Sequence, residues 1–216
     1  MKSYQQYCGL ARGLDLVGDR WTLLVIRELA LGDRRYAQLQ RDLPGIPTNL
    51  LADRLRSLTA SGLIEPTAGT ARSGGYALTP RGREILPVLH ALVRWSTPTM
   101  LDGPDADDHQ SARWVAFAAM AYLRSAPAGS PVSIKLSCGA EHVVIRADHD
   151  VTISLDDELP TDVTIDGNAW ALMGIVSGAL PIGRVRAVDD SAAVVGTQAS
   201  RRRATALIAH NTAAAS

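Results

Sequence analysis

The stretch from Thr48 to Ala60 carries the residue types best suited to recognition chemistry. Leu51, Leu55 and Leu58 recur at i, i+4 and i+7, with Leu50 beside them. Asn49, Ala52, Asp53 and Arg56 fall on the opposite stripe. In a helix one face can therefore pack while the other presents short polar groups and an arginine. Such groups near a helix N-terminus can reach base edges in the major groove of DNA. Asparagine pairs bidentately with adenine, and arginine with guanine. Thr48, Asn49, Asp53 and Arg56 supply that face, and Asp53 either accepts from cytosine or orients a neighbouring arginine. Arg54, one step aside, suits a phosphate. So do Arg34 and Arg35 ahead of the motif and, further on, the loop tip Arg72-Ser73-Gly74-Gly75. Phosphate contacts set affinity and register, whereas base contacts set sequence choice. The same residues also fit an ordinary solvated helix face, so the surrounding elements must discriminate.

Those elements are mostly helical. Leu10, Leu14 and Val17 predict a first helix ending near Gly18. Asp19 can cap a second, striped by Trp21, Leu24, Val25 and Leu29 and closed by Gly32. A short segment, Tyr36 to Leu43, leads to the turn Pro44-Gly45-Ile46-Pro47. After Thr48 to Ala60, Ser61-Gly62 ends the helix. Leu63-Ile64-Glu65 and Tyr76-Ala77-Leu78 read as the strands of a hairpin. Thr79 and Pro80 then suit the N-cap and N1 positions of another helix. Its stripe is Ile85, Leu86, Leu89, Leu92 and Val93, with Trp95 near the end. Pro87 conflicts with that pattern and should kink the helix or remove a bond. Helix, helix, turn, helix, hairpin, helix is the layout of a winged helix-turn-helix.

Charge supports a division of the chain. The whole is neutral, yet residues 1–96 hold 13 Lys and Arg against 8 Asp and Glu, and residues 97–216 hold 9 against 14. A basic half followed by an acidic half suggests two domains with different partners. The reading is a DNA-binding and dimerisation domain over 1–96, a Pro-, Gly- and Asp-rich linker over 97–111, and an α+β domain over 112–212. In the last, Ala112 to Leu123 predicts a helix. Val132 to Leu136, His142 to Ala147, Val151 to Leu155 and Asp162 to Ile165 predict strands. Ala169 to Ser177 predicts a helix, Val185 to Val188 and Ala193 to Val195 weak strands, and Arg201 to His210 a last helix before a frayed tail from Asn211.

Residues 8–95 resemble the HxlR-type winged-helix regulators. The resemblance is carried by Cys8-Gly9-Leu10-Ala11-Arg12-Gly13-Leu14-Asp15 and Val17-Gly18-Asp19-Arg20-Trp21-Thr22-Leu23-Leu24. It continues in Leu43-Pro44-Gly45-Ile46-Pro47-Thr48-Asn49-Leu50-Leu51-Ala52-Asp53-Arg54-Leu55, Gly62-Leu63-Ile64-Glu65 and Tyr76-Ala77-Leu78-Thr79-Pro80-Arg81-Gly82. It implies a winged helix-turn-helix that binds double-stranded DNA as a homodimer. The first helix (Tyr4 to Val17) and the helix after the wing (Pro80 to Trp95) would pair across a two-fold axis. A pseudo-palindromic operator follows from that symmetry. Cys8 matches a cysteine that some members use to sense oxidants or electrophiles, although Gly9 stands where proline is frequent. A sensing thiol needs a depressed pKa and exposure, and Arg12 one turn on could supply the first. Plain packing is the other reading of Cys8.

The second domain resembles sterol-carrier-like domains through Leu159-Pro160-Thr161-Asp162-Val163-Thr164-Ile165-Asp166-Gly167-Asn168-Ala169-Trp170 and Ile175-Val176-Ser177-Gly178-Ala179-Leu180. That resemblance implies an apolar tunnel for a hydrophobic small molecule. Trp114, Phe117, Met120, Trp170 and Met173 are then the candidate wall residues. Ordinary core packing is the alternative for each.

Enzyme chemistry is not expected. The five histidines lack metal-ligand spacing, and no Gly-rich phosphate loop, nucleophile elbow or HExxH motif is present. The two cysteines form neither a disulfide framework nor a zinc pattern, so no cofactor or metal is expected. No apolar run reaches the roughly 18 residues that span a bilayer, and the N-terminus has no signal-peptide core. A cytoplasmic protein without a membrane partner follows. The functional expectation is a DNA-binding transcriptional regulator, read as a repressor, controlled by a hydrophobic small molecule in the second domain. The alternatives are a thiol switch at Cys8 and a lipophile carrier without a specific operator.

Overall fold

A computed structural model describes residues 3–68, 74–100, 102–155 and 158–213. The chain divides into two compact units, residues 1–89 and 90–216. The division falls inside the helix that follows the wing, a few residues before its end at Ser96.

The first unit runs α1 (Gly9–Val17), α2 (Thr22–Ala30), β1 (Arg34–Arg35), α3 (Tyr36–Asp42), α4 (Thr48–Ala60), β2 (Ile64–Pro66), β3 (Gly75–Leu78), α5 (Pro80–Arg83) and the start of α6 (Leu86–Ser96). Its core is built from the expected stripes: Val25 and Leu29 of α2, Leu39 and Leu43 around α3, Leu51, Leu55 and Leu58 of α4, and Ile64 and Leu78 from the hairpin. Helix α4 occupies the expected span and ends in a Schellman turn. Gly62 takes a left-handed φ of 71°, and the Leu63 N–H donates to Leu58 O at 3.0 Å. Thr79 caps α5 by accepting from the Gly82 N–H at 3.0 Å, while its hydroxyl donates to Gly62 O at 2.7 Å. Gly82 lies so close to β2 that a Cβ there would stand 1.9 Å from Leu63 O. The end of α4, the start of the wing and the helix after it are thus locked at one point.

Four features differ from the sequence expectation. Asp19 does not cap α2 with its side chain. Its carboxylate pairs with Arg54, and Trp21 takes the N-cap position with a left-handed φ of 79°. Leu24 is exposed, and Thr22, Ile26 and Ala30 complete the packing face instead. A third strand, β1, joins the wing sheet in the order β1-β3-β2, pairing Arg34 with Tyr76 as Ile64 pairs with Leu78. Finally, the chain breaks at Glu84 and Ile85 into α5 and α6, so Pro87 sits in the first turn of α6. The amide it lacks would have been an unpaired donor there anyway, which removes the conflict.

The second unit contains a 3₁₀ turn (Thr97–Met100), α7 (Ala112–Tyr122), β4 (Val132–Cys138), β5 (Glu141–Ala147), β6 (Val151–Ser154), β7 (Val163–Asp166), α8 (Ala169–Val176), a second 3₁₀ turn (Ile182–Ala187), β8 (Ala193–Gly196) and α9 (Gln198–Ala213). The sheet order is β6-β5-β4-β7-β8; β4 and β7 are parallel and the other neighbours antiparallel. The register aligns Ile134 with Ile145 and Val163, and Leu136 with Val143 and Ile165. Because side chains alternate across a strand, these residues form one apolar face. Helix α7 packs against α8 and the sheet, burying Ala116, Ala119 and Ala121, small residues that permit close approach.

Two expectations fail here. Val185 to Val188 is not a strand, since most of it lies in the second 3₁₀ turn. Asn211 is not frayed but buried in α9. Its Oδ1 accepts from the Arg124 and Ser125 amides at 2.8 and 3.1 Å, and its Nδ2 donates to Ser125 O and Leu207 O. Among the described residues, no helix is long and apolar enough to cross a membrane.

Candidate functional site

Helix α4 stands on its buried leucines with its N-terminal turn in solvent. Pro47, Thr48 and Asn49 are exposed. The turn that aims them is braced from α3: Gln40 Nε2 donates to Ile46 O at 2.9 Å, and Tyr36 Oη donates to Thr48 O at 2.7 Å. The sequence pattern did not single out either brace. Tyr36 stands out in the sequence only as the start of the short segment before the turn, and Gln40 gives no signal. Asp53 and Arg56 pair across one turn of α4, with the Arg56 side chain 77% exposed.

The expected phosphate contacts are placed less uniformly. Arg35 is exposed at the N-cap of α3, where its amide donates to Gln38 Oε1 at 2.8 Å. Arg34 is half-buried, with Nε 3.7 Å from Asp42 Oδ2. The Arg54 side chain is only 18% exposed and is held by Asp19, so a phosphate would compete with that carboxylate. Arg72 and Ser73 lie outside the described residues. At the wing base, Thr67 and Gly75 exchange main-chain and side-chain bonds of 2.9 Å, fixing where the hairpin leaves the sheet.

Exposed apolar side chains flank this reading surface in sequence. Tyr7, Leu10 and Leu14 of the N-terminal region, and Val88, Leu92 and Trp95 of α6, are all exposed, Leu10 by 72% and Trp95 by 78%. Cys8 is exposed at the N-cap of α1. Arg12 pairs with Asp15 at 3.6 Å.

In the second unit the structure brings Trp114, Trp170 and Met173 together along one cleft of about 330 Å³. Phe117 and Met120 do not line it. Phe117 is buried on α7, its ring 5.1 Å from that of His90. The remaining lining comes chiefly from the stretch read as a linker, including Met100, Asp105, Asp108 and His109. Trp170 Nε1 donates to Met100 O at 3.2 Å, and Gln110 Oε1 accepts from the Ala169 N–H at 3.1 Å. Nothing in the linker's composition signalled that use.

Burial, reinforced by Arg94 and Arg124, holds the His90 imidazole below its ordinary pKa. Asp162 is held below the usual carboxylate range, mainly by accepting from the Ser133 amide at 2.8 Å. No group of three or more His, Cys, Asp or Glu among the described residues could hold a metal ion.

The HxlR-like helix-turn-helix profile matches residues 16–102. An uncharacterised HTH-type transcriptional regulator of Mycobacterium tuberculosis is 42% identical over 88 residues, 40% of this chain and 55% of the relative. Another, of Methanothermobacter thermautotrophicus, is 32% identical over 90 residues, 41% of this chain and 69% of the relative. The chain thus spans about half the length of the first of these. A solved chain from Porphyromonas gingivalis assigned to the MarR family of transcriptional regulators is 28% identical, with a TM-score of 0.40, over 45% of this chain and 97% of its own.

Proposed function

This chain belongs to the HxlR-like helix-turn-helix family, and on that premise we propose that it is a sequence-specific, double-stranded-DNA-binding transcriptional regulator acting as a homodimeric repressor in the cytoplasm. One observation carries the reading. Helix α4 buries Leu51, Leu55 and Leu58 while its first turn holds Thr48 and Asn49 in solvent, one turn ahead of the Asp53–Arg56 pair. Seated in a major groove, Asn49 reads adenine and Arg56, steadied by Asp53, reads guanine. Arg34, Arg35, Arg54, Arg72 and Ser73 are the phosphate contacts, and Arg54 exchanges Asp19 for a phosphate oxygen on binding. Such an exchange places the salt dependence of binding on displaced carboxylates as well as on counterions.

The exposed Leu10, Leu14, Val88, Leu92 and Trp95 support the homodimer, because side chains of that size favour a protein partner over water. A two-fold pair of heads requires a pseudo-palindromic operator. A hydrophobic small molecule in the second unit is the effector, and the order β7 then α8, over the stretch resembling sterol-carrier-like domains, supports that reading. For such a ligand to regulate, it must bind the DNA-competent and incompetent states with different affinity.

The test is fluorescence anisotropy with DNA from the promoter beside the coding sequence, across several salt concentrations. Wild type should bind selectively, and Asn49→Ala/Arg56→Ala should not. Weak binding that vanishes with salt and ignores the double variant would overturn the regulator and favour a lipophile carrier. Loss of operator release by oxidants in Cys8→Ser would favour the thiol switch.

A further inference from the structure

The cleft in the second unit has a composition that the effector reading does not explain. A purely apolar ligand calls for an apolar wall. Here Trp114, Trp170, Met100 and Met173 share the cleft with Asp105, Asp108 and His109, and no lysine or arginine is among its described lining residues. The Asp108 carboxylate is held in place, since its Oδ2 accepts from the Asp105 amide at 2.9 Å. The indole of Trp170 is fixed as well. Its Nε1–H is taken by Met100 O, and a Cβ on Gly103 would lie 3.6 Å from its ring. The residues around the cleft thus arrange two indoles, two thioethers and two carboxylates over a volume suited to a small organic molecule.

That combination selects charge. An indole presents a negative π-face, which attracts a cation and repels an anion. Polarizable thioethers accommodate flat aromatic groups. Two carboxylates in a lining that holds His109 but, among its described residues, no lysine or arginine raise the local concentration of cations, and the half of the chain containing them is net acidic. A larger cleft of this unit, about 650 Å³, shows the contrast: it is lined by Arg186, Arg201 and Arg202 and suits the opposite charge.

We propose that the cleft formed by Thr99, Met100, residues 103–110, α7 and α8 is a binding site for a small aromatic cation, such as an arylalkyl ammonium. The inference refines the effector reading and rests on it only for the consequence at the operator; binding itself stands apart. The aromatic body lies against Trp114, Trp170 and Met173, and the ammonium faces Asp105 and Asp108.

Isothermal titration of the full chain at neutral pH with 1-naphthylmethylammonium, 1-naphthylmethanol and 1-naphthoate separates ring from charge, because the three share one ring system. The cation should bind at least tenfold more tightly than the neutral alcohol. Asp105→Asn/Asp108→Asn should abolish that preference while keeping the alcohol's affinity, and the asparagine oxygen can still accept from the residue 105 amide. Trp170→Leu should weaken both. The Asp variants lie on exposed loop positions outside the core, so they remain informative if Trp170→Leu does not fold. No binding of the cation, binding equal to that of the alcohol, or a preference that survives the double Asp variant would each overturn the proposal. Promoter binding by the unliganded chain is measured in parallel. Cation binding without operator binding would sink the regulator and leave the cleft, and the reverse would sink the cleft and leave the regulator.

Discussion

The two units use polar side chains in opposite ways. In the first, the groups proposed to meet DNA are exposed, and the partners that organise them are mostly near in sequence: Asp53 to Arg56, Gln40 to Ile46, Tyr36 to Thr48. In the second, the organising polar contacts close long loops. Asn211 holds the turn at Arg124 and Ser125, Gln110 holds Ala169, and Asp162 holds Ser133. A surface that must exchange partners needs groups whose hydrogen bonds can be surrendered to a ligand at little cost. A frame that must keep a cleft open needs the reverse, because each buried group left without a partner costs about 1–3 kcal/mol.

The strongest attempt to break this contrast targets the tightest glycine contact among the first unit's described residues. Gly82→Ala drives a Cβ into Leu63 O, and a main-chain oxygen cannot swing aside as a side chain can. A loss of about 3 kcal/mol or more is expected, confined in hydrogen exchange to residues 1–89. Retention of the head's protection would show that α5 can lift from β2 without consequence.

Asn211→Leu comes next. It keeps the side chain's approximate volume but strips the Arg124 and Ser125 amides of their acceptor, and should cost the second unit about 3 kcal/mol in denaturant unfolding. Promoter affinity of the variant, measured where it is still folded, should equal wild type. A smaller effect would mean that water replaces the amide and that this frame is looser than its burial implies.

Asn49→Ala should reverse the pattern. Binding to the preferred operator should weaken by about 1–3 kcal/mol, while unfolding stays within about 0.5 kcal/mol of wild type. A large stability loss would place Asn49 in the frame instead of the reading surface.

The smallest effect concerns pH. His90 has a folded pKa below its ordinary value, so the unfolded chain binds the proton more readily. Its contribution to stability is therefore present above about pH 6.5 and lost as pH falls through the lowered folded value. Unfolding of the second unit should show this decline as pH falls below about 6.5 in wild type and less of it in His90→Gln. Equal slopes would remove His90 as the cause.

The sequence by itself determined the elements whose signal is local. The span of α4, its leucine stripe, the Gly62 turn, the Thr79-Pro80 cap and the hairpin strands all follow from a helical or two-residue period and from capping chemistry. The exposed face with Thr48, Asn49 and Arg56 was legible for the same reason, and so were the second unit's strands, apart from Val185 to Val188, most of which lies in a 3₁₀ turn. Only the tertiary structure decided what depends on partners far along the chain. Asp19 abandons its expected cap for Arg54, 35 residues away. Arg34 and Arg35 become a strand because β3 offers them an edge. Pro87 falls harmlessly because the chain breaks before it. Thr99, Met100 and residues 103–110, part of the stretch read as a linker over 97–111, become a cleft wall through Trp170 and Ala169. Periodicity records which side of an element is apolar. It carries no information about which remote polar group will satisfy another, because that pairing is set by the geometry of the folded chain.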